Sequence, residues 1–221
     1  MWWKIVISVI IGYLMGSVNF AVIFTRLNKK NITEMGSGNP GTMNMMRNMG
    51  AKWGALTLLC DAAKSAIPSL IGRALLGTEG VSDVGMYAAG LASILGHVYP
   101  ITMHFKGGKG VACAIGFFLV ASPITSLIAF GALVVFLLIT QYGSLASLLF
   151  VTVLTVEQGI KYGASEANGA IILMLFAIWA LVWFCHRGNI VRAILGKEHR
   201  SNLLKSFQKI KTQKDEVNEE V

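Results

Sequence analysis

Charged side chains are scarce in this chain. Only 14% of its 221 residues are Asp, Glu, Lys or Arg, and 54% are hydrophobic, whereas ordinary soluble domains contain about 25% charged residues. A mean hydropathy of +0.62 reflects the same imbalance. The composition therefore excludes an ordinary soluble domain and indicates an integral membrane protein.

Other shortages exclude further classes. The three cysteines, Cys60, Cys113 and Cys185, are odd in number and lie in or beside apolar runs, so no disulfide framework is expected. His104 and His199 lack the regular spacing of metal ligands, so we predict no metal site. The chain also shows no internal repeat, which argues against transporters that are built from repeated halves.

Apolar runs dominate what is present. A helix that crosses a bilayer needs about 20 apolar residues. The candidate segments are roughly 5–24, 53–76, 84–103, 111–121, 124–140, 145–160 and 169–185, of which 111–121 is short. The sequence therefore predicts an all-α, polytopic membrane bundle of about seven transmembrane helices. We place it in a single domain over residues 1–200, followed by a basic and acidic cytoplasmic tail over 201–221.

The distribution of Lys and Arg predicts the orientation of this bundle. If Ser122 and Pro123 form a turn between two separate helices, one side of the membrane carries fifteen Lys and Arg residues and the other carries three. A single kinked helix over 111–140 would instead move the eight basic residues of the tail to the sparse side. Because basic loops stay in the cytoplasm, we predict an external N-terminus and a cytoplasmic C-terminus.

Three polar, glycine-rich stretches then reach the cytoplasmic face, at 34–50, 96–113 and 186–198. The middle one contains His-Phe-Lys-Gly-Gly-Lys-Gly, in which glycines without Cβ allow backbone N–H groups to converge on an anion. Lys106 and Lys109 would add positive charge there. Taken alone, this loop has a plainer explanation as a basic turn between two helices.

The other two stretches strengthen the case for a shared anion site. The first offers Ser37, Asn44 and Arg47, and the third offers several further donors with one carboxylate, Glu198. Cations outnumber carboxylates in the three stretches together, so the pocket should favour phosphate groups. Lys109 is followed by glycine instead of Ser or Thr, which fails the Walker pattern. A phosphorylated lipid or acyl donor is the ligand that a membrane bundle would admit.

The three stretches resemble the three cytoplasmic motifs of the PlsY family, the bacterial acyl-phosphate:glycerol-3-phosphate acyltransferases, and the match covers nearly the whole chain. The residues that carry the resemblance are Gly36-Ser37-Gly38-Asn39, Gly41, Asn44 and Arg47, then Gly96-His97, Pro100 and Phe105 to Ala112, then His186-Arg187, Asn189-Ile190, Arg192, Gly196 and Glu198. As a set, these motifs are far more specific than any single glycine loop.

The resemblance implies an enzyme that transfers a fatty acyl group from acyl phosphate to glycerol 3-phosphate, giving lysophosphatidic acid and phosphate at the start of phospholipid synthesis. It implies a multi-pass protein of the bacterial inner membrane, a monomer whose active site faces the cytoplasm. Its partners would be the two substrates and membrane lipids, with no nucleic acid, cofactor or metal. No His is followed five positions later by Asp, as the other large acyltransferase class would require.

The resemblance also implies roles for individual residues. The residues implied in catalysis are Ser37, Arg47, Lys106, His186 and Asn189. Those implied in binding the substrate phosphate are Asn44, Gly107, Gly108, Lys109 and Gly110. Residues with a structural or open role are His97, Ser144, Arg192 and Glu198. Asp61 and Lys64, three positions apart inside an apolar segment, are more simply explained by mutual pairing than by catalysis.

Two alternatives stay open at this point. The chain departs from the family pattern at Thr42-Met43, Cys113, Cys185, Lys197 and Gln141, which leaves room for a weak or silent paralogue. A transporter of phosphorylated anions could use the same basic loops as a vestibule. Against the transporter, the polar residues lie at one face of the membrane instead of at its midplane.

Overall fold

A computed structural model describes residues 2–77, 81–163 and 168–201, so the tail predicted from residue 201 lies almost entirely outside the described residues. Within those ranges the chain forms α-helices and two short 3-10 turns, and no β-strand. The ten helices are α1 (Trp2–Gly16), α2 (Phe20–Leu27), α3 (Thr42–Met49), α4 (Ala51–Gly77), α5 (Ser82–Val98), α6 (Val111–Ala121), α7 (Pro123–Thr140), α8 (Gly143–Gly163), α9 (Gly169–Cys185) and α10 (Arg187–Ile194).

The all-α membrane bundle predicted from the sequence is confirmed. In the part of the chain that the structure describes, five stretches are long and apolar enough to cross a membrane, and α9 with α10 makes a sixth if that pair, bent by 54°, is one span. The remaining apolar segment is α6, whose 11 residues rise only about 16 Å at 1.5 Å per residue. The predicted number of seven crossings and their orientation therefore stay predictions.

The short helix α6 lies inside the bundle. Eight of its residues, including Phe117 and Phe118, are buried, and it contacts α4, α5, α7 and α8. Gly116 allows its close approach to α4, because a Cβ there would collide with the carbonyl oxygen of Ala62. A helix that is surrounded by protein does not need to match the thickness of the lipid. Its N-terminus can therefore end partway through the bundle, where it faces a cavity.

The first apolar segment is not the continuous helix that the sequence predicts over 5–24. The chain leaves α1 after Gly16 and begins α2 at Phe20, with Asn19 capping α2 by accepting a hydrogen bond from the Val22 amide at 3.0 Å. This break leaves the carbonyl of Val18 without a helical partner, and the ammonium group of Lys64 donates to it at 2.5 Å. The break therefore lies where the backbone accepts a hydrogen bond from the buried ammonium group of Lys64.

Helix α5 occupies the centre of the bundle and α7 its periphery. In the most apolar part of the segment Asp83–Met103, which contains most of α5, 72% of the residues are buried. In α7 the corresponding share is only 11%. The exposed side of α7 carries large apolar side chains, among them Ile124, Ile128 and Ile139, which suits contact with lipid tails. The inner side of α7 is therefore free to form one wall of an internal cavity.

The predicted orientation can be tested by labelling single cysteines in a background without the three native ones. A membrane-impermeant maleimide should label positions 79 and 164 on intact cells, and positions 30, 104 and 197 only after permeabilisation. The last three lie in the basic stretches and are exposed. Labelling of position 104 from outside would contradict the assignment of all three glycine-rich stretches to the cytoplasmic face.

Candidate active site

A cavity of about 1140 Å³ lies at the end of the bundle where the three glycine-rich stretches meet. Its polar side chains come from all three stretches and from the start of α8, as the sequence predicts for a shared pocket. They include Ser37, Asn44, Arg47, Lys106, Lys109, Ser144, His186, Asn189, Arg192 and Glu198. Ser37, Arg47 and Lys106 are exposed, so this polar end is accessible to a water-soluble ligand.

The same cavity has an apolar end deeper in the bundle. Its walls are formed by aliphatic and aromatic side chains of α4, α6 and α7, namely Leu58, Ile115, Phe130, Leu133, Val134, Leu137 and Leu138. A cavity with cations at one end and hydrocarbon at the other matches an amphiphile that carries a phosphate group and an acyl chain. This wall could not be predicted from the sequence, because α7 is apolar on nearly every side.

Glu198 organises the polar end. Its carboxylate is only 3% exposed and accepts hydrogen bonds from the Ser144 hydroxyl at 2.9 Å and from the Asn189 amide at 2.6 Å. Its other oxygen pairs with Nε of Arg192 at 3.1 Å. The carboxylate therefore ties α10 and the segment after it to the start of α8.

Asn189 connects this group to the middle stretch. While its amide nitrogen donates to Glu198, its Oδ1 atom accepts a hydrogen bond from the ammonium group of Lys109. Lys109 is thereby held in one orientation at the N-terminus of α6. The first-turn N–H groups of a helix have no partner within the helix and attract anions, so Lys109 and α6 face the cavity with the same sign of charge.

The electrostatics of the polar end follow from this crowding. Burial, and then the positive charge of Arg192, lowers the pKa of Lys109 to about 8. Burial alone would raise the pKa of Glu198, but hydrogen bonds from Asn189 and Ser144 and the charge of Arg192 lower it. The cavity thus holds an ionised carboxylate among several cations, and a bound anion would relieve the repulsion among those cations.

His186 is neutral in this setting. Burial lowers its pKa to about 4, although a hydrogen bond to the Val182 carbonyl opposes the shift. The ring nitrogen Nδ1 lies 2.8 Å from that carbonyl oxygen, so Nδ1 carries the proton and donates it. The other nitrogen, Nε2, is then an acceptor, which suits a hydroxyl group better than a phosphate.

The glycine-lysine loop does not form the amide cradle that the sequence suggests. The amide of Gly107 donates to the carbonyl of Val98 at 3.0 Å, and the amide of Gly108 donates to that of His97 at 3.1 Å. Gly108 is also buried and does not line the cavity. These two N–H groups are occupied, so the positively charged groups that this stretch presents to the cavity are Lys106, Lys109 and the first amides of α6.

Glycine is required at these positions for a different reason. A Cβ on Gly107 would collide with the carbonyl oxygen of His97, and a Cβ on Gly108 would collide with the imidazole ring of the same residue. Gly110, which does line the cavity, has a φ of +85° at the start of α6, a conformation that favours glycine.

Asn44 also differs from the sequence-based expectation of a phosphate ligand. It is 1% exposed, and its amide donates to the Met35 carbonyl at 2.9 Å while its Oδ1 accepts from the Ser37 amide at 3.1 Å. With these groups engaged, Asn44 fixes the shape of the first loop. It thereby holds Ser37 and the adjoining backbone in place beside the cavity.

Two residues for which the sequence predicts a structural or open role line the cavity as well. Asp61 and His97 both face it from the bundle interior, and Lys64 pairs with Asp61 at 2.8 Å as their spacing predicts.

Among the described residues, 2–77, 81–163 and 168–201, no three His, Cys, Asp or Glu side chains form a group that would hold a metal ion. The expectation about metals stays a prediction.

Comparison with known sequences gives a consistent result. Residues 6–196 match the family described as Glycerol-3-phosphate acyltransferase. A protein of that name from Aquifex aeolicus is 36% identical over 197 residues, covering 89% of this chain and 99% of the relative. Another from Neisseria meningitidis serogroup B is 37% identical over 194 residues, covering 87% of this chain and 95% of the relative.

Comparison with solved structures agrees. Two crystal structures of PlsY (YgiH), an integral membrane glycerol 3-phosphate acyltransferase, have the same fold at 34% sequence identity. The TM-score is 0.81 for the glycerol 3-phosphate form and 0.79 for the lysophosphatidic acid form. Each alignment covers 92% of this chain and 98% of the other.

The pKa of Lys109 predicts a pH dependence of anion binding. Lysine is charged below its pKa and neutral above it, so binding of sulfate, whose charge does not change in this range, should weaken as the pH rises past about 8. The loss should reach at most about tenfold per pH unit above the pKa. Titration calorimetry at several pH values measures it. Lys109→Arg, which stays charged, should bind with little pH dependence, and an equal decline in both proteins would contradict the assignment.

Proposed function

Since the chain belongs to the glycerol-3-phosphate acyltransferase family, we propose that its cavity is where an acyl group passes from acyl phosphate to glycerol 3-phosphate. The family predicted from the three motifs is confirmed, and the chain is an acyltransferase of phospholipid synthesis. The acyl phosphate donor, the roles of single residues, the monomeric state and the cytoplasmic site in the bacterial inner membrane belong to the proposal.

One observation carries the proposal: a single cavity joins a solvent-accessible cationic end to an apolar wall within the bundle. The acyl chain would lie along Leu133 and Leu137 of α7, with its phosphate at the polar end. Glycerol 3-phosphate is water-soluble and would enter from the exposed side of Ser37, Arg47 and Lys106. Both phosphates then share the cations that surround Glu198.

Holding two anions side by side is the main task of such a site. Phosphate already leaves well from a mixed anhydride, so much of the acceleration comes from bringing the two substrates together, which is worth several kcal/mol. Lys106, Lys109 and Arg47 offset the repulsion between the phosphates. Ser37 and Asn189 supply further donors near the same end of the cavity.

The chemical step itself is a displacement at the acyl carbon. The 1-hydroxyl oxygen of glycerol 3-phosphate forms a bond to that carbon, and the bond from the carbon to the phosphate oxygen breaks with its electron pair going to phosphate. The hydroxyl proton must reach a base. His186, whose pKa lies at about 4, is a weaker base than a phosphate oxygen, whose second pKa is about 6. We therefore assign the proton to the phosphate of the donor and assign to Nε2 of His186 the orientation of the hydroxyl.

The departures from the family pattern leave the donors in place. Thr42, Met43 and Cys185 line the cavity, whereas Cys113 is fully buried. None of them replaces Ser37, Arg47, Lys106 or Asn189. We accordingly expect an active enzyme and not a silent paralogue.

Alanine substitution of the proposed donors tests this function. Ser37→Ala, Arg47→Ala, Lys106→Ala and Asn189→Ala should each lower turnover by about 10²–10³, the usual cost of removing one preorganised donor. The measurement is release of lysophosphatidic acid from acyl phosphate and glycerol 3-phosphate by protein purified in a lipidic environment. Lys30→Ala, which removes an exposed lysine outside the cavity, is the matched control and should stay within a few-fold of the parent.

The donor is tested in the same assay. Acyl phosphate should support product formation, and acyl-CoA of the same chain length should not. Product from acyl-CoA alone would overturn the assignment of the donor. Near-parental rates for both Ser37→Ala and Asn189→Ala would show that the site has been misplaced, even though the family stands.

A further inference from the structure

Three ionisable side chains form a cluster inside the bundle that the proposed reaction does not use. Asp61, Lys64 and His97 are 0%, 4% and 3% exposed. The Lys64 ammonium lies 2.8 Å from Oδ1 of Asp61 and 3.0 Å from Nδ1 of His97. Burying such groups costs free energy unless each is paired, so their arrangement calls for an explanation beyond packing.

Lys64 uses all of its donors within this cluster. An ammonium group has three N–H bonds, and here they face the Asp61 carboxylate, Nδ1 of His97 and the Val18 carbonyl at 2.5 Å. Because the ammonium donates to Nδ1, that nitrogen is the acceptor and the ring proton resides on Nε2. The cluster thereby fixes both the tautomer and the plane of the His97 ring.

His97 in turn holds the glycine-lysine loop. Its carbonyl accepts the Gly108 amide at 3.1 Å, and its ring occupies the space where a Cβ of Gly108 would be. The Gly107 amide is bound by the carbonyl of Val98, the next residue of α5, at 3.0 Å. Two consecutive loop amides are thus hydrogen-bonded to the end of α5. One of them is bound by His97, whose ring Lys64 orients.

The two fastened glycines stand between the two lysines of the loop. Lys106 precedes them and Lys109 follows them, and both line the cavity. Three residues beyond Gly108, α6 begins at Val111. A change in the position of Gly107 and Gly108 therefore moves both lysines and the N-terminus of α6 together.

We propose that Asp61, Lys64 and His97 are positioning residues for the phosphate site, acting through the contact between the His97 ring and Gly108. The inference rests on the proposed binding of substrate phosphate by Lys106 and Lys109. The cluster keeps the loop at the depth where these lysines reach the phosphate, and it makes none of the contacts to the substrate itself. A cluster that only fastens helices would have no such link to substrate affinity.

A double-mutant cycle that enlarges Gly108 and removes the ring of His97 tests the contact directly. Gly108→Ala should raise KM for glycerol 3-phosphate by about tenfold to a hundredfold, since a displacement of about 1 Å has effects of that order. His97→Ala removes the ring that the new methyl group would strike. The double variant should therefore have a KM close to that of His97→Ala alone, a strong coupling in a double-mutant cycle.

Gly107 supplies the matched control for this cycle. A methyl group there would strike the backbone carbonyl of His97 and not its side chain, so His97→Ala cannot relieve it. The Gly107→Ala and His97→Ala effects should add without rescue. Rescue of both glycine variants, or of neither, would overturn the proposal.

Neutralising the ion pair separates positioning from helix fastening. Asp61→Asn combined with Lys64→Met removes both buried charges without leaving one unpaired. The Val18 carbonyl loses its donor, so the thermal midpoint should fall by only the modest amount that one lost hydrogen bond costs. His97 loses its donor in this variant, and KM for glycerol 3-phosphate should rise several-fold with a smaller change in kcat. A parental KM in the folded double variant would refute the positioning role.

The lysines of the loop keep this result distinct from a failure of the proposed function. If Lys106→Ala and Lys109→Ala leave KM for glycerol 3-phosphate unchanged, the proposed phosphate site is wrong and the positioning role falls with it. If they raise KM while the His97 and Gly108 cycle shows no coupling, the phosphate site stands and the positioning role alone is wrong.

Discussion

Repulsion among the cations that share one cavity is the constraint on which this site depends. Burial, and then the positive charge of Arg192, lowers the pKa of Lys109 to about 8, and Arg47 adds a smaller effect in the same direction. Glu198 is the ionised carboxylate that offsets this repulsion, and it is held by three hydrogen-bonded partners. The cations at this end of the cavity outnumber Glu198, so the polar end carries a net positive charge that favours anions such as phosphate.

A membrane bundle can support such a cavity because backbone contacts between small residues hold the helices close. Gly72 and Gly85 approach each other so tightly that a Cβ on either would meet the carbonyl of the other, as is common where membrane helices pack. The short helix α6 then ends inside the bundle and directs its N-terminus at the polar end. The inner side of α7 completes an apolar wall beside it. The polar end and the apolar wall of the cavity thus adjoin each other where α6 begins.

Much of this arrangement is predictable from the sequence, for physical reasons. Each apolar segment is long enough to require a helix, and the charge distribution brings the three polar stretches to one end, so Ser37, Lys106 and Asn189 were expected to meet. The break in the first segment was not predictable, because it depends on Lys64 of another helix reaching Val18. The composition around Gly107 and Gly108 indicates an anion-binding loop. In the structure, glycine is needed at both positions because a Cβ there would collide with His97, and this contact cannot be recognised from the local sequence. The wall on α7 could not be predicted for a similar reason. Because α7 is apolar nearly all round, its sequence does not show which side faces the other helices.

Whether both substrates share this one cavity can be decided by a structure of the protein with glycerol 3-phosphate and a non-hydrolysable acyl phosphonate. We expect two phosphorus groups at the polar end, within about 3 Å of donors such as Ser37, Lys106 and Lys109. We also expect an acyl chain along Leu133 and Leu137. A glycerol 3-phosphate molecule bound away from these lysines, or an acyl chain lying on the outer surface of the bundle, would contradict this expectation.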